Sequence, residues 1–158
     1  MVPRSPAEGG LGRGEMRPKA LADTGALLAL LDADDRWHRA CVTAFEELPL
    51  PLATTSAVLC ELFHLLGDSE PGQAAVWRLL TTGALVLEPM AGEDLRPLED
   101  LMVRYADRPM DFADATLVRL AERAGLSTVF TVDHADFETY RFAGRRTFGI
   151  RPLRQPVG

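Results

Sequence analysis

The sequence predicts an α/β fold in three layers, with helices on both sides of a central, mostly parallel sheet of four to five strands. Two observations carry this. Short, continuously apolar runs recur along the chain, and each is followed by stretches of helical periodicity. Strands buried on both faces read as such runs, and alternation with helices favours parallel pairing through crossovers. No internal repeat and no second regime of composition interrupts the pattern, and 158 residues suit one domain.

Lys19-Ala-Leu-Ala-Asp23 reads as the first strand, ended by an acid, and Ala26 to Leu31 continue as a helix after Thr24-Gly25. Asp34 or Asp35 is placed to cap a second helix, with Trp37, Cys41, Val42 and Phe45 on one side, which Leu48-Pro-Leu-Pro51 breaks. Leu52-Ala-Thr54 forms the second strand, and Thr55 or Ser56 caps a helix through Leu66. After a turn from Gly67 to Gly72, Gln73 to Leu80 are helical. Ala84-Leu-Val-Leu-Glu88 is the third strand, followed by a helix from Asp94 to Tyr105. Asp111 opens a helix through Ala124, stopped by Gly125. Thr128-Val-Phe-Thr-Val132 is the fourth strand and runs into Asp133, and Thr147 to Arg151 make a short fifth. Residues 1–17 are rich in Gly, Pro and Arg without an apolar stretch. They are expected to be a disordered leader or translation from too early a start, with the domain at 18–155.

Acidic residues outnumber basic ones by 23 to 17, for a net charge of −6. This excludes a protein that wraps nucleic acid through a uniformly basic surface, and leaves open one that concentrates carboxylates. Cys41 and Cys60 are the only cysteines and form no CxxC, which excludes a disulfide scaffold and a zinc ribbon. Two isolated thiols in apolar surroundings are expected of a cytoplasmic protein. No apolar run approaches the ~20 residues that span a bilayer, so no membrane partner is expected.

Four acids stand out. Asp23 directly follows a strand; it can cap the next helix, or Thr24 can, which leaves Asp23 spare. Glu61 sits in a helix apolar on nearly every side, between Val58 and Leu65, where a carboxylate is costly unless paired or bound to a cation. Asp111 and Asp114 open a helix, one as N-cap and one in the first turn, a use that serves the helix and leaves both on one rim. Asp133 ends the fourth strand while Asp136 reads as the cap of the following helix. His38 and His134 lack a metal-ligand spacing and are expected on the surface.

A parallel sheet brings strand ends and helix starts to one edge, beyond the carboxyl ends of its strands. Asp23, Glu61, Asp114 and Asp133 gathered there would repel one another. A divalent cation removes the conflict, and oxygen-only ligands favour Mg²⁺ or Mn²⁺ over zinc.

The order Asp-Thr-Gly after a strand, Thr-Thr-Ser-Ala-Val-Leu-Cys-Glu, Asp-Phe-Ala-Asp-Ala and Thr-Val-Asp-His-Ala-Asp-Phe resembles the PIN-domain family. In particular it is similar to the VapC-type ribonuclease toxins of bacterial toxin–antitoxin pairs. The resemblance runs from Lys19 to Arg151. It implies a Mg²⁺- or Mn²⁺-dependent endoribonuclease in which Asp23, Glu61, Asp114 and Asp133 are both metal ligands and catalytic residues. Asp111, Thr24 and Thr131 are expected beside them as caps or supporting groups. The resemblance further implies a small antitoxin partner and a homodimer; the chain adds only Leu27, Leu30, Leu31 and Trp37 as apolar residues on the early helices. RNA phosphates would meet arginines from among Arg36, Arg39, Arg104, Arg108, Arg141, Arg145 and Arg146, with Arg145 and Arg146 beside Gly144 favoured.

Competing acid-rich α/β classes fit less well. A response-regulator receiver needs a late lysine, and Lys19 is the one lysine in the chain. A haloacid-dehalogenase phosphatase needs Asp-x-Asp after the first strand, where Gly25 stands. The alternatives that remain are a PIN module that binds metal and RNA without catalysis, and a PIN nuclease of RNA processing with no antitoxin.

Overall fold

The computed structural model describes residues 16–108 and 110–155. The expectation of a leader at 1–17 therefore lies, for residues 1–15, outside the described residues. The elements are β1 (Ala20–Ala22), α1 (Thr24–Leu31), α2 (His38–Glu47), β2 (Leu52–Thr54), α3 (Ser56–Leu66), α4 (Glu70–Thr81), β3 (Leu85–Leu87), a 3-10 turn (Gly92–Asp94), α5 (Leu95–Arg104), α6 (Phe112–Ala124), β4 (Thr128–Phe130), α7 (His134–Thr139) and β5 (Gly149–Arg151). The five strands form one parallel sheet in the order β3-β2-β1-β4-β5, flanked by the helices in a three-layer α/β/α fold.

This order creates the feature that matters for function. From β1 the chain builds outward through β2 and β3, then returns to place β4 on the other side of β1. The crevice where strand order reverses lies between β1 and β4, and ligands of open α/β sheets gather beyond the carboxyl ends of strands at such a point. Ala22 pairs with Phe130, so the residues that leave the two strands, beginning at Asp23 and Thr131, emerge side by side.

The core explains why such short strands hold. Leu21, Leu52, Val129 and Phe130 are completely buried in the sheet, and Leu27, Leu62, Leu117, Leu120 and Phe137 close over them from the helices. Burying a side chain of this size is worth roughly 1.5–3 kcal/mol each. On one side of α6, Asp94 is itself fully buried and accepts from Arg119 Nε at 2.8 Å, Arg123 Nη1 at 2.7 Å and the Ala91 amide at 2.8 Å. That cluster fastens the 3-10 turn to α6.

Several expectations are corrected. Each strand is three residues long, shorter than the apolar runs that signalled it. Neither Asp34 nor Asp35 caps α2, which starts only at His38; Asp32 and Asp35 instead accept from the Asp34 and Trp37 amides at 3.0 and 2.7 Å and shape the preceding turns. Cys41 is buried, its thiol pushed up to about 12 by desolvation, while Cys60 is exposed rather than apolar-lined. Leu27 is wholly buried, while Leu30, Leu31 and Trp37 pack partly on the core. Among the described residues no helix is long and apolar enough to cross a membrane.

Candidate active site

Four of the five acids are positioned by element ends, and Glu61 by the middle of α3. Asp23 leaves β1 and caps α1: one oxygen accepts from the Thr24 amide at 2.8 Å and the other from Thr131 Oγ1 at 2.7 Å. The same Thr131 hydroxyl accepts from the Asp133 amide at 3.0 Å, so one side chain links the two strand exits. Asp133 caps α7 by accepting from the Asp136 amide at 3.3 Å. Asp111 caps α6 by accepting from the Asp114 amide at 2.7 Å. Asp114, in the first turn of α6, accepts from the Tyr140 hydroxyl at 2.9 Å. Glu61, on α3, accepts from Thr24 Oγ1 at 3.1 Å.

Asp23, Glu61, Asp111, Asp114 and Asp133 line one cavity of about 400 Å³ together with Thr24, Gly25, Arg36, Trp37, Leu65 and Val132. The acids expected at one rim are thus brought together. A larger groove of about 880 Å³ lies along β3, lined by Leu50, Pro51, Ala84 and Val86 with Glu88 its one carboxylate among the described residues, and carries none of this chemistry.

The local reasons differ from those read in the sequence. Asp23 does cap its helix, and Thr24, expected as an alternative cap, reaches Glu61 instead. Asp133, not Asp136, caps α7. Capping and lining the cavity coexist in three residues, because a helix that starts at a strand exit points its N-terminus at the rim. Glu61 is exposed, and α3 shows Cys60, His64 and Leu65 on that same outer side; the run looked apolar all round because Leu65, 53% exposed, is not a core residue. His134, expected on the surface, is buried, with its ring nitrogens 3.1 Å from the Val132 carbonyl and 2.8 Å from that of Pro152. His38 is half-buried against the Ala29 carbonyl at 2.8 Å. Neither histidine lines the cavity. Arg145 and Arg146 are exposed in a tight turn with Ala143 and Gly144 at positive φ, Arg146 lying 4.8 Å over the Phe142 ring, and they too are absent from the cavity wall. Trp37 reads in the sequence only as a helix-face residue, and Tyr140 is assigned no role there.

Gly25 is required by a close approach. A Cβ there would stand 2.9 Å from Val132 Cγ2, so only glycine lets α1 start against the loop that carries Asp133.

The electrostatics show a site short of positive charge. Desolvation raises the Asp23 carboxyl to about 6 against the Thr131 and Thr24 hydrogen bonds, with Asp133 and Glu61 adding repulsion. Asp114 is raised to about 8 by desolvation, then by Asp23 and Asp111, against the Tyr140 hydrogen bond. Asp133 is also raised, chiefly by desolvation. Among the described residues none of Asp23, Glu61, Asp114 and Asp133 is in an ion pair. The donor set is all oxygen and its negative charge is uncompensated, which suits a hard divalent cation. Among the described residues, no group of three or more His, Cys, Asp or Glu side chains forms a ready-made metal cage. Such a set would hold a hard cation through a few carboxylates with water retained, rather than in a closed cage.

A three-layer fold on a parallel sheet, with a carboxylate-rich cavity at the switch point, defines a class of small α/β domains. Residues 20–143 match the model of the PIN domain, and the chain belongs to the PIN-domain family. Two of the proteins it is similar to are of the VapC type. It is 29% identical over 134 residues to Ribonuclease VapC26 of Mycobacterium tuberculosis (strain ATCC 25618 / H37Rv), covering 84% of this chain and 99% of the relative. The crystal structure of Mycobacterium tuberculosis VapC20, a sarcin-ricin loop cleaving toxin, aligns with a TM-score of 0.63 at 25% identity, over 74% of this chain and 93% of that one.

Proposed function

We propose that the chain is a Mg²⁺- or Mn²⁺-dependent endoribonuclease acting in the cytoplasm, the toxin of a toxin–antitoxin pair. The observation that carries the reading is the cavity at the carboxyl ends of β1 and β4, where Asp23, Glu61, Asp114 and Asp133 meet with their charge unbalanced. Similarity to VapC26 and VapC20 supports RNA as the substrate and an antitoxin as the partner. A homodimer is proposed on the same ground.

Asp23, Glu61, Asp114 and Asp133 would hold the ion. When bound, a divalent cation supplies a water acidic enough to lose its proton near neutral pH and neutralises phosphoryl charge. The chain's own groups hold the geometry. Thr131 fixes one oxygen of Asp23 and the backbone of Asp133. Thr24 steadies Glu61, and Asp111 sets the first turn of α6 so that Asp114 faces the cavity. The proposed substrate is RNA with bases splayed from loops, which are accessible to a rim site in a way that paired RNA is not. Arg145 and Arg146, away from the cavity wall, are proposed as outlying phosphate contacts.

The test is cleavage of a structured RNA by the wild type, Asp23→Asn and Glu61→Gln, with Mg²⁺, with Mn²⁺ and with EDTA. Cleavage is expected only for the wild type with metal. Undiminished cleavage in EDTA or by Asp23→Asn overturns the reading, and RNA binding without cleavage by the wild type assigns the non-catalytic module.

A further inference from the structure

Among the described residues lining the acidic cavity, Arg36 is the one cation, and Trp37 beside it is the one aromatic. Arg36 is exposed, and among the described residues its guanidinium makes no ion pair and no hydrogen bond; it lies over the Trp37 ring, 5.5 Å from its centre, a loose cation–π contact that an incoming base would replace as the guanidinium turns to phosphate. The guanidinium donors are therefore unused in a cavity that Arg36 shares with five carboxylates. The Trp37 ring is half-buried and packs against His134 at 5.2 Å, which fixes it at the cavity wall. The turn before α2 is held as well, since Asp35 accepts from the Trp37 amide at 2.7 Å.

An acidic cavity repels a polyanion unless a cation at its mouth meets the phosphates, and a guanidinium with unused donors binds phosphate through paired N–H groups. An unstacked base gains most from a fixed aromatic surface, because every base has a π-face. Both kinds of surface adjoin here, in a cavity whose volume of about 400 Å³ falls in the range of small-ligand sites. We propose that Arg36 and Trp37 form a nucleotide-binding ledge of the cavity, with an unpaired RNA base stacked on Trp37 and an adjacent phosphate held by Arg36. The ledge rests on the ribonuclease reading and adds to it what selects unpaired RNA.

Trp37 and Trp77 are the two tryptophans, and Trp77, on α4 and 56% exposed, is outside the cavity. Trp77→Phe therefore leaves Trp37 as the sole indole reporter. In that variant carrying Glu61→Gln, with EDTA present, a short RNA hairpin with an unpaired loop is expected to quench indole emission, and a fully paired duplex of equal length to leave it unchanged. In otherwise wild-type protein with Mg²⁺, Trp37→Leu is expected to raise KM for the hairpin about tenfold with kcat within about twofold, the signature of lost uniform binding. Trp37→Phe, which keeps an aromatic surface, restores KM. Arg36→Ala raises KM and reduces its dependence on salt. Hairpin binding seen by anisotropy without quenching, or wild-type KM in both Arg36→Ala and Trp37→Leu, overturns the ledge while leaving the nuclease standing. A wild type that cleaves no RNA in Mg²⁺ overturns both.

Discussion

Tyr140 donates its hydroxyl to Asp114 Oδ2 at 2.9 Å, joining the end of α7 to the first turn of α6. The tyrosine is fully buried, wedged edge-on between Tyr105 and Phe137 at ring distances of 5.1 and 5.3 Å. Burial, with the Asp114 charge beside it, pushes its hydroxyl far above its ordinary range, so it remains a donor throughout neutral pH. The hydrogen bond opposes the rise of the Asp114 carboxyl and fixes which oxygen faces the cavity. Tyr140→Phe keeps the ring packing and removes only this bond. The expected outcome is a loss of about 1 kcal/mol in stability by chemical denaturation and a fall of roughly tenfold or more in metal affinity or activity, the range for groups that orient metal ligands. Tyr105→Phe, whose hydroxyl instead accepts from the Arg141 amide at 2.8 Å, is the control and should leave metal affinity unchanged.

Asp114→Asn removes a carboxylate that its surroundings already disfavour as a charge. The amide still offers an oxygen to Tyr140. Melting in EDTA at pH 8 is expected to show the variant at least as stable as the wild type, with RNA cleavage abolished. A variant that melts well below the wild type would mean that Asp114 serves the fold rather than the cavity.

Asp94 gives the opposite sign. The Ala91 amide, and then Arg119 and Arg123, hold its carboxyl below the usual range despite the cost of burial. A depressed folded-state pKa adds stability above the unfolded value of about 3.9 and loses it as pH falls below that. Between pH 5 and pH 3 the wild type should therefore lose more stability than Asp94→Asn does. Asp94→Ala at pH 7 should cost about 3 kcal/mol by denaturant titration, the low end for breaking a buried pair, because Arg119 and Arg123 are 20% and 27% exposed.

Gly25→Ala places a methyl 2.9 Å from Val132 Cγ2. Overpacking of this kind costs about 1–3 kcal/mol. Because Val132 precedes Asp133, the variant should lose more cleavage activity at a temperature where it is fully folded than a control such as Gly92→Ala, which meets no neighbouring atom.

Much of this architecture was legible in the chain. Apolar runs marked β1, β2 and β4 because inner parallel strands are buried on both faces and need not alternate, whereas the edge strand β5 alternates and carried a weaker signal. Asp23 and Asp133 were legible because they end such runs, and Asp114 because it follows a cap. What the sequence hid is what depends on side-chain direction across the fold. Tyr140 and Asp114 lie on different elements, and no spacing rule connects them. His134 looked like a surface residue because nothing local foretells that the Val132 and Pro152 carbonyls will enclose its ring. Glu61 was picked out for the wrong reason: the costly burial that drew notice is absent, and the carboxylate reaches the cavity from an exposed side of α3.

Asp23, Asp111 and Asp133 each stand at the amino end of a helix and accept one of its backbone N–H groups. The partial positive charge of those helix ends does, weakly, what a cation does strongly. On the proposed metal-dependent reading, a domain built this way would assemble first and load its ion afterwards, unlike a zinc finger, whose ligands have no order until the metal arrives. Its chemistry can then be switched by ion supply while the scaffold stays intact, and a chelator should silence the molecule without unfolding it.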